Sequence, residues 1–181
     1  MAEGGSGLSK FFLVLLLAAL VGIGVYLGPD LLDQHKKVGI LENVLLLPSD
    51  LNFKAKIDTG ATTSSIHAEN IQKFQQNGKD WVRFTVINKK GVKLDFEKPV
   101  ARIANVKRAG AGVDERFVVK IGVCVGKIFN ETEFTLKNRQ NMSTNMLIGR
   151  NILSKNFVVD VSKQHLTKPN CSLPGTEMEK K

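Results

Sequence analysis

Between residue 38 and about residue 166, apolar and polar positions alternate in short runs, and few stretches repeat every three or four residues. A period of two marks a strand with one buried face. "NVLLLP" (43–48) and "NFKAKI" (52–57) follow it, and Pro48-Ser49-Asp50 between them predicts a turn joining antiparallel strands. "WVRFTVI" (81–87) and "VKLDFE" (92–97) flank "NKKG" and read as a hairpin. "RIANV" (102–106), "ERFVVKIGVCV" (115–125), "KIFNETEFTL" (127–136) and "NMLIG" (145–149) add strands rich in β-branched and aromatic residues, and "VVDV" (158–161) closes the series. Two stretches break the pattern. "HAENIQKFQQ" (67–76) reads as a short surface helix stopped by Asn77-Gly78, and "NILSKNF" (151–157) has the spacing of a second short helix. Many short strands at close spacing predict a small, mostly antiparallel β-barrel or sandwich.

The N-terminus follows a different rule. "FFLVLLLAALVGIGVYLG" (11–28) carries no charge over eighteen residues, which reaches the length of a membrane-spanning helix. It predicts an uncleaved anchor with the folded domain in the periplasm or otherwise outside the cytoplasm; a cleaved signal segment, leaving a periplasmic protein, is the competing reading. The expected layout is a tail (1–10), the anchor (11–28), a linker (29–37), one domain (38–166) and a disordered tail rich in Pro, Gly, Lys and Glu (167–181). Cys124 sits in an apolar run and reads as a buried structural thiol, Cys171 falls in the tail, and the pair allows one disulfide or none.

Charge adds little. The chain has 26 Lys and Arg against 17 Asp and Glu, a net charge of +9. No basic run exceeds two residues and no aromatic-interleaved RNA-binding signature is present, so nucleic acid is not an expected partner.

The chemistry concentrates in "KAKIDTGATTSSI" (54–66). Asp58 comes directly after an apolar strand, where a turn can present it; Gly60 lets backbone approach a ligand, and Thr59 and Thr62 offer hydroxyls to brace the loop. Hydrolysing a peptide bond with carboxylates alone needs two of them close together, one ionised as base and one protonated as acid. No second Asp-Thr-Gly or Asp-Ser-Gly exists in the chain: Asp160 precedes Val-Ser and Asp114 precedes Glu-Arg. If Asp58 is catalytic, its partner is Asp58 of another copy.

"KIDTGATTS" followed by "NMLIGRNIL" (145–153) resembles the retropepsins, the single-domain, homodimeric aspartic proteases of retroviral type. With "GKDWVRFTV", "ERFVVK", "FTLKNRQNM" and "FVVD" in order, the stretch from about 39 to 166 is similar to the bacterial retropepsin-like family often labelled ATP-dependent zinc proteases. The resemblance implies a mostly β fold, a closed retropepsin-like barrel with one or two short helices behind the N-terminal transmembrane helix. It implies a membrane-anchored aspartic endopeptidase acting on a peptide or protein as a homodimer, with no cofactor. Asp58 would be the catalytic carboxylate, Thr59 the hydroxyl that bonds across the dimer axis, and Gly60 the backbone contact for substrate within the loop Asp58-Thr59-Gly60-Ala61-Thr62. Gly149-Arg150-Asn151 would brace that loop. The viral enzymes pair this Arg with an Asp four residues after the catalytic one; Thr62 stands there, so Arg150 must use backbone carbonyls, Glu69 or another acid. A glycine-rich flap is expected at "RAGAGVDER" (108–116), with Gly110 and Gly112 at its tip, in preference to the "NKKG" turn.

The zinc and ATP labels find no motif. His35, His67 and His165 lie far apart, with His67 expected at the surface or in a capping role, and "GVCVGK" (122–127) is one residue short of a phosphate loop and reads as two strands with a tight turn. Trp81 is expected in the core or on a sheet face rather than as a binding platform, and Glu131 and Glu133 on a solvated strand face. The alternative to an enzyme is a non-catalytic module of the same fold that binds a peptide or protein partner at the cell envelope.

Overall fold

The computed structural model describes residues 36–49, 51–108 and 112–171, without the side chains of Lys107 and Arg108. The apolar segment 11–28 and Gly110 lie outside the described residues; among those described, no helix is long and apolar enough to cross a membrane.

Among the described residues, eleven strands and one helix follow in order: β1 (Lys36–Val38), β2 (Leu41–Leu47), β3 (Leu51–Ile57), β4 (Ser64–Gln76), β5 (Lys79–Ile87), β6 (Lys93–Pro99), β7 (Arg102–Arg108), β8 (Gly112–Val125), β9 (Ile128–Lys137), β10 (Met146–Ile148), α1 (Arg150–Asn156) and β11 (Phe157–Val159). Six of them close a barrel in the order β10-β3-β2-β8-β9-β4, with β4 returning to β10. Alternation fixes the register. In β3, Phe53, Ala55 and Ile57 point inward while Asn52, Lys54 and Lys56 face solvent. A slip of one residue would bury the two lysines, so the pairing has a single low-energy register. Phe53, Phe84, Phe134, Leu46, Ile66 and Ile121 are among the largest fully buried side chains of the core.

The stretch 67–76, expected to be a helix, is strand. β4 pairs with β9 in parallel over Ser64–His67, then with β5 antiparallel from Ala68 to Gln76, with a bulge between Glu69 and Gln72 where Asn70 takes φ 52°. The β5 ladder from Ala68 to Gln76, continuing a strand already paired with β9, outweighs the helix-forming tendency of Glu69, Gln72 and Lys73, and the bulge accounts for the three-residue step from Ile71 to Phe74. His67 is therefore not a surface or capping residue: it is 3% exposed inside the barrel wall. Trp81 lies on the β5 face as expected, its ring 6.3 Å from that of Phe74.

The C-terminal stretch is held more firmly than its composition suggests. Glu42, fully buried, accepts hydrogen bonds from Gly39 N at 2.7 Å, Leu166 N and Thr167 N at 3.0 Å and Thr167 Oγ1 at 2.9 Å. Cys124 and Cys171 form a disulfide, which resolves their two open states and corrects the free buried thiol expected at Cys124. Residues 167–171, expected within a disordered tail, are strapped to the barrel by these contacts.

Candidate active site

Ile57 is the last buried residue of β3 and pairs with Ile148 of β10; the chain then leaves the sheet with Asp58 N donating to Ile148 O at 2.9 Å. Asp58 is half-buried at that exit. Its Oδ1 accepts from Gly60 N at 3.0 Å and Ala61 N at 3.2 Å, folding the carboxylate back over its own turn. A side chain at Gly60 would place its Cβ 3.2 Å from that oxygen, which explains the glycine. Among the described residues Oδ2 has no hydrogen-bond partner. One oxygen thus builds the loop and the other is left for a water or a second carboxylate.

The start of α1 braces this loop. Helix N-termini leave their first N–H groups without intrahelical acceptors, and here the loop supplies them. Arg150 N donates to Ala61 O at 2.8 Å and Asn151 N to Thr62 O at 3.1 Å. The Arg150 side chain completes the set: Nη1 donates to Thr59 O at 2.9 Å and Gly60 O at 3.0 Å, and Nη2 to Thr62 Oγ1 at 3.0 Å. Four consecutive carbonyls, from Thr59 to Thr62, are held by two adjacent residues. Backbone carbonyls and a hydroxyl stand where an acid would otherwise pair the guanidinium; Glu69 lies instead 3.3 Å from His67 Nε2.

Gly149 makes the close approach possible. A Cβ there would lie 2.8 Å from Ala61 O and 2.9 Å from the Thr63 carbonyl carbon, closer than packed atoms approach. Asn151 extends the brace: its Oδ1 accepts from Ser64 N and Ser64 Oγ, and its Nδ2 donates to Glu133 O at 2.8 Å and Thr132 Oγ1 at 3.2 Å. The loop is locked to β4, β9 and α1 together.

Of the two flap candidates, the first has residues 109–111 outside the described residues; on either side of them β7 pairs with β8 from Arg102↔Val118 out to Arg108↔Gly112. Gly112 takes φ 74°, a left-handed conformation that favours glycine. The "NKKG" turn also forms a hairpin, with Asn88 Oδ1 accepting from Lys90 N and Val92 N.

Beside the loop, under the arms of β7 and β8, lies a cleft of about 510 Å³ whose walls include Thr62, Thr63, Arg102, Arg116 and Arg139. The three arginines went unmarked in the sequence, where they stand in three separate strands or loops with nothing in common. Arg102 grips Glu133 and reaches Thr63 Oγ1 at 3.3 Å, tying the base of the hairpin to the Asp58 loop. Arg116 grips Asp114. The hydrogen bond from Lys137, aided by Arg116, holds the Asp114 carboxyl down at about 2. Arg139 is buried; burial first, and then the charge of Arg116, pull its guanidinium below the usual arginine range, while the Asp58 carboxylate acts in the opposite sense. Among the described residues no group of three or more His, Cys, Asp or Glu side chains is gathered to hold a metal ion.

Comparison with known proteins agrees with this geometry. A Legionella pneumophila protein of unknown function, known from its crystal structure, superposes with a TM-score of 0.62 at 32% identity, covering 73% of this chain and 98% of that one. Proteins named probable alpha-L-glutamate ligase match too: 37% identity over 114 residues in Shewanella halifaxensis, and 36% over 116 residues in Desulfotalea psychrophila. These matches cover 61% and 62% of this chain but 25% of each relative, so the chain spans about a quarter of their length. The family described as RimB-like, the retropepsin-like aspartic endopeptidase RimB, matches residues 37–170, and the chain belongs to that family.

Proposed function

We propose that this chain is one protomer of a homodimeric aspartic endopeptidase, anchored by its 11–28 segment with the barrel outside the cytoplasm. The observation that carries the reading is the Asp58 loop. One carboxylate oxygen is fixed by two N–H groups, the other has no partner among the described residues, and all four following carbonyls are braced. Such a loop presents a carboxylate oxygen in a fixed place, which a catalytic dyad needs.

In the dimer, two Asp58 side chains meet and share one proton, since two like charges at hydrogen-bond distance do not both ionise. The ionised one takes a proton from a water as the water oxygen attacks the peptide carbonyl. The protonated one gives its proton to the carbonyl oxygen, and the tetrahedral species then collapses with proton transfer to the leaving amine. Thr59, next in the loop, is suited to bonding across the axis, and the β7–β8 hairpin to covering the peptide.

The substrate class follows from charge. Of the three arginines in the cleft wall, Arg102 and Arg116 are paired with carboxylates, whereas Arg139 has none at ion-pair distance among the described residues, and that uncompensated cation favours an acidic peptide. The relatives named glutamate ligases carry a region like this one within polypeptides named for glutamate chemistry, and glutamate-rich peptide is the matching substrate. A disulfide in a small barrel suits an oxidising compartment, in keeping with the proposed location.

The test is Asp58→Asn in the full-length chain, incubated with glutamate-rich peptides. Cleavage should disappear while sedimentation still shows a dimer. Unchanged cleavage, or a strictly monomeric wild type that cleaves, rules the dyad out. Binding of the same peptides with no cleavage by the wild type would instead establish the non-catalytic module.

A further inference from the structure

Three arginines face the cleft, but the structure neutralises only two of them. Both Nε and Nη2 of Arg102 lie on Glu133 Oε2, at 2.8 and 2.7 Å. Both Nε and Nη2 of Arg116 lie on Asp114 Oδ2, at 2.9 and 2.7 Å, and Asp114 also receives Lys137 Nζ. Arg139 differs. It has no carboxylate within ion-pair distance among the described residues, and its one side-chain hydrogen bond there runs from Nε to the neutral Thr144 O at 3.2 Å. Its two terminal nitrogens have no acceptor among those residues.

Arg139 is also the most enclosed of the three. It is buried, whereas Arg116 is half-buried and Arg102 exposed. Its backbone N donates to Nδ1 of the buried His67 at 2.9 Å, and with the Thr144 bond this fixes both ends of the side chain. Most of the residue is buried while its terminal nitrogens stay open to the cleft, and a cation so placed, with no carboxylate at ion-pair distance among the described residues, is costly for a fold to keep. Nothing in the packing requires the charge: the bonds to Thr144 and His67 are made by Nε and the backbone. The unused edge, Nη1 and Nη2, suits the two oxygens of a carboxylate.

We propose that Arg139 is the specificity-determining residue of this cleft, receiving the side-chain carboxylate of an acidic residue that flanks the scissile bond. The proposal rests on the endopeptidase reading above and narrows it to one anchoring cation. Arg102 and Arg116, already paired, shape the positive wall and position the hairpin. Peptides with Gln for Glu at the anchored position bring no charge to the buried guanidinium and so bind less well.

The experiment compares two peptides that differ only by Glu or Gln at each position flanking the cleavage point, on the full chain. For the wild type, kcat/KM should favour Glu at one position by on the order of 100-fold, mainly through KM. Arg139→Gln should bring that ratio close to one, and Arg139→Lys, which keeps the charge but loses the fork, should restore part of it. Because each ratio is taken on a single protein, a partly misfolded variant does not mimic the result. A wild-type ratio near one at every position, or an unchanged ratio in Arg139→Gln, overturns the proposal and leaves the endopeptidase reading standing. Fluorescence anisotropy with the labelled Glu peptide on Asp58→Asn, and on Asp58→Asn with Arg139→Gln, separates the two ideas. Binding lost only in the double variant supports the anchor even if no peptide is cleaved; equal binding by both overturns it.

Discussion

Asp114 sits where three elements meet, taking charge from Arg116 beside it on β8 and from Lys137 on β9. Its carboxyl, held at about 2 against an ordinary value of 3.8, is stabilised in its ionised form by the fold. The sign follows: a depressed carboxyl contributes stability that is fully present above about pH 4 and lost as pH falls toward 2. Asp114→Asn should therefore show a shallower fall in Tm between about pH 4 and pH 2 than the wild type, with the other carboxyls contributing equally to both. Identical slopes in thermal melts across that window would refute the linkage. Arg150 teaches a related lesson about residues. Its role as a brace was legible from the motif, and so was the lack of an acid at Thr62. That two loop carbonyls and the Thr62 hydroxyl take the place of the acid is not legible in the sequence, because backbone carbonyls belong to every residue alike. Arg139 was invisible for a similar reason: what sets it apart is that no carboxylate pairs with it among the described residues, and partners are set by folding.

Among elements, the junction of β10 with α1 decides the active site. Gly149 permits the loop at Ala61–Thr63 to run against the helix start, and Gly149 N donates to Ser64 Oγ at 3.0 Å. Gly149→Ala should push the loop off its brace, lowering stability by about 2 kcal/mol or more and reducing the proposed peptidase activity further than stability alone explains. Urea unfolding and activity on the same samples would check this; a stable, fully active variant would contradict the close approach. Most strands were legible because each has one buried face and a period of two. The stretch 67–76 was not. Its Ile71 and Phe74 match a helical step, and only the pairing of β4 with β5 and β9, with a bulge at Asn70, makes it a strand. Pairing is a non-local property, and local spacing carries no trace of it.

At the scale of the molecule, the C-terminal strap closes the structure over β2 and β8. The cysteines are separated by 47 positions, and a cross-link of that span restricts the unfolded chain by up to about 4 kcal/mol. Cys171→Ser, or reduction of the wild type, should lower the unfolding free energy obtained from urea titration by an amount approaching that figure, and the urea midpoint with it, while the Glu42 contacts keep residues 166 and 167 in place. A midpoint unaffected by reduction would show that the strap holds without its bond. Composition could not foresee this, since Pro, Gly, Lys and Glu describe a chain that fails to bury apolar area, not one tied down by a carboxylate and a sulfur.

The strand that closes the barrel, β10, and the helix that follows it are separated from the loop they support by most of the domain: Thr59 and Arg150 lie 91 positions apart. Contacts that distant form late, after intervening hairpins have condensed. As the chain leaves the ribosome, the Asp-Thr-Gly segment emerges long before its brace does. A growing chain carries Asp58 without the contacts that hold its loop, so the order of synthesis leaves that loop unbraced until residues 149–151 have been made.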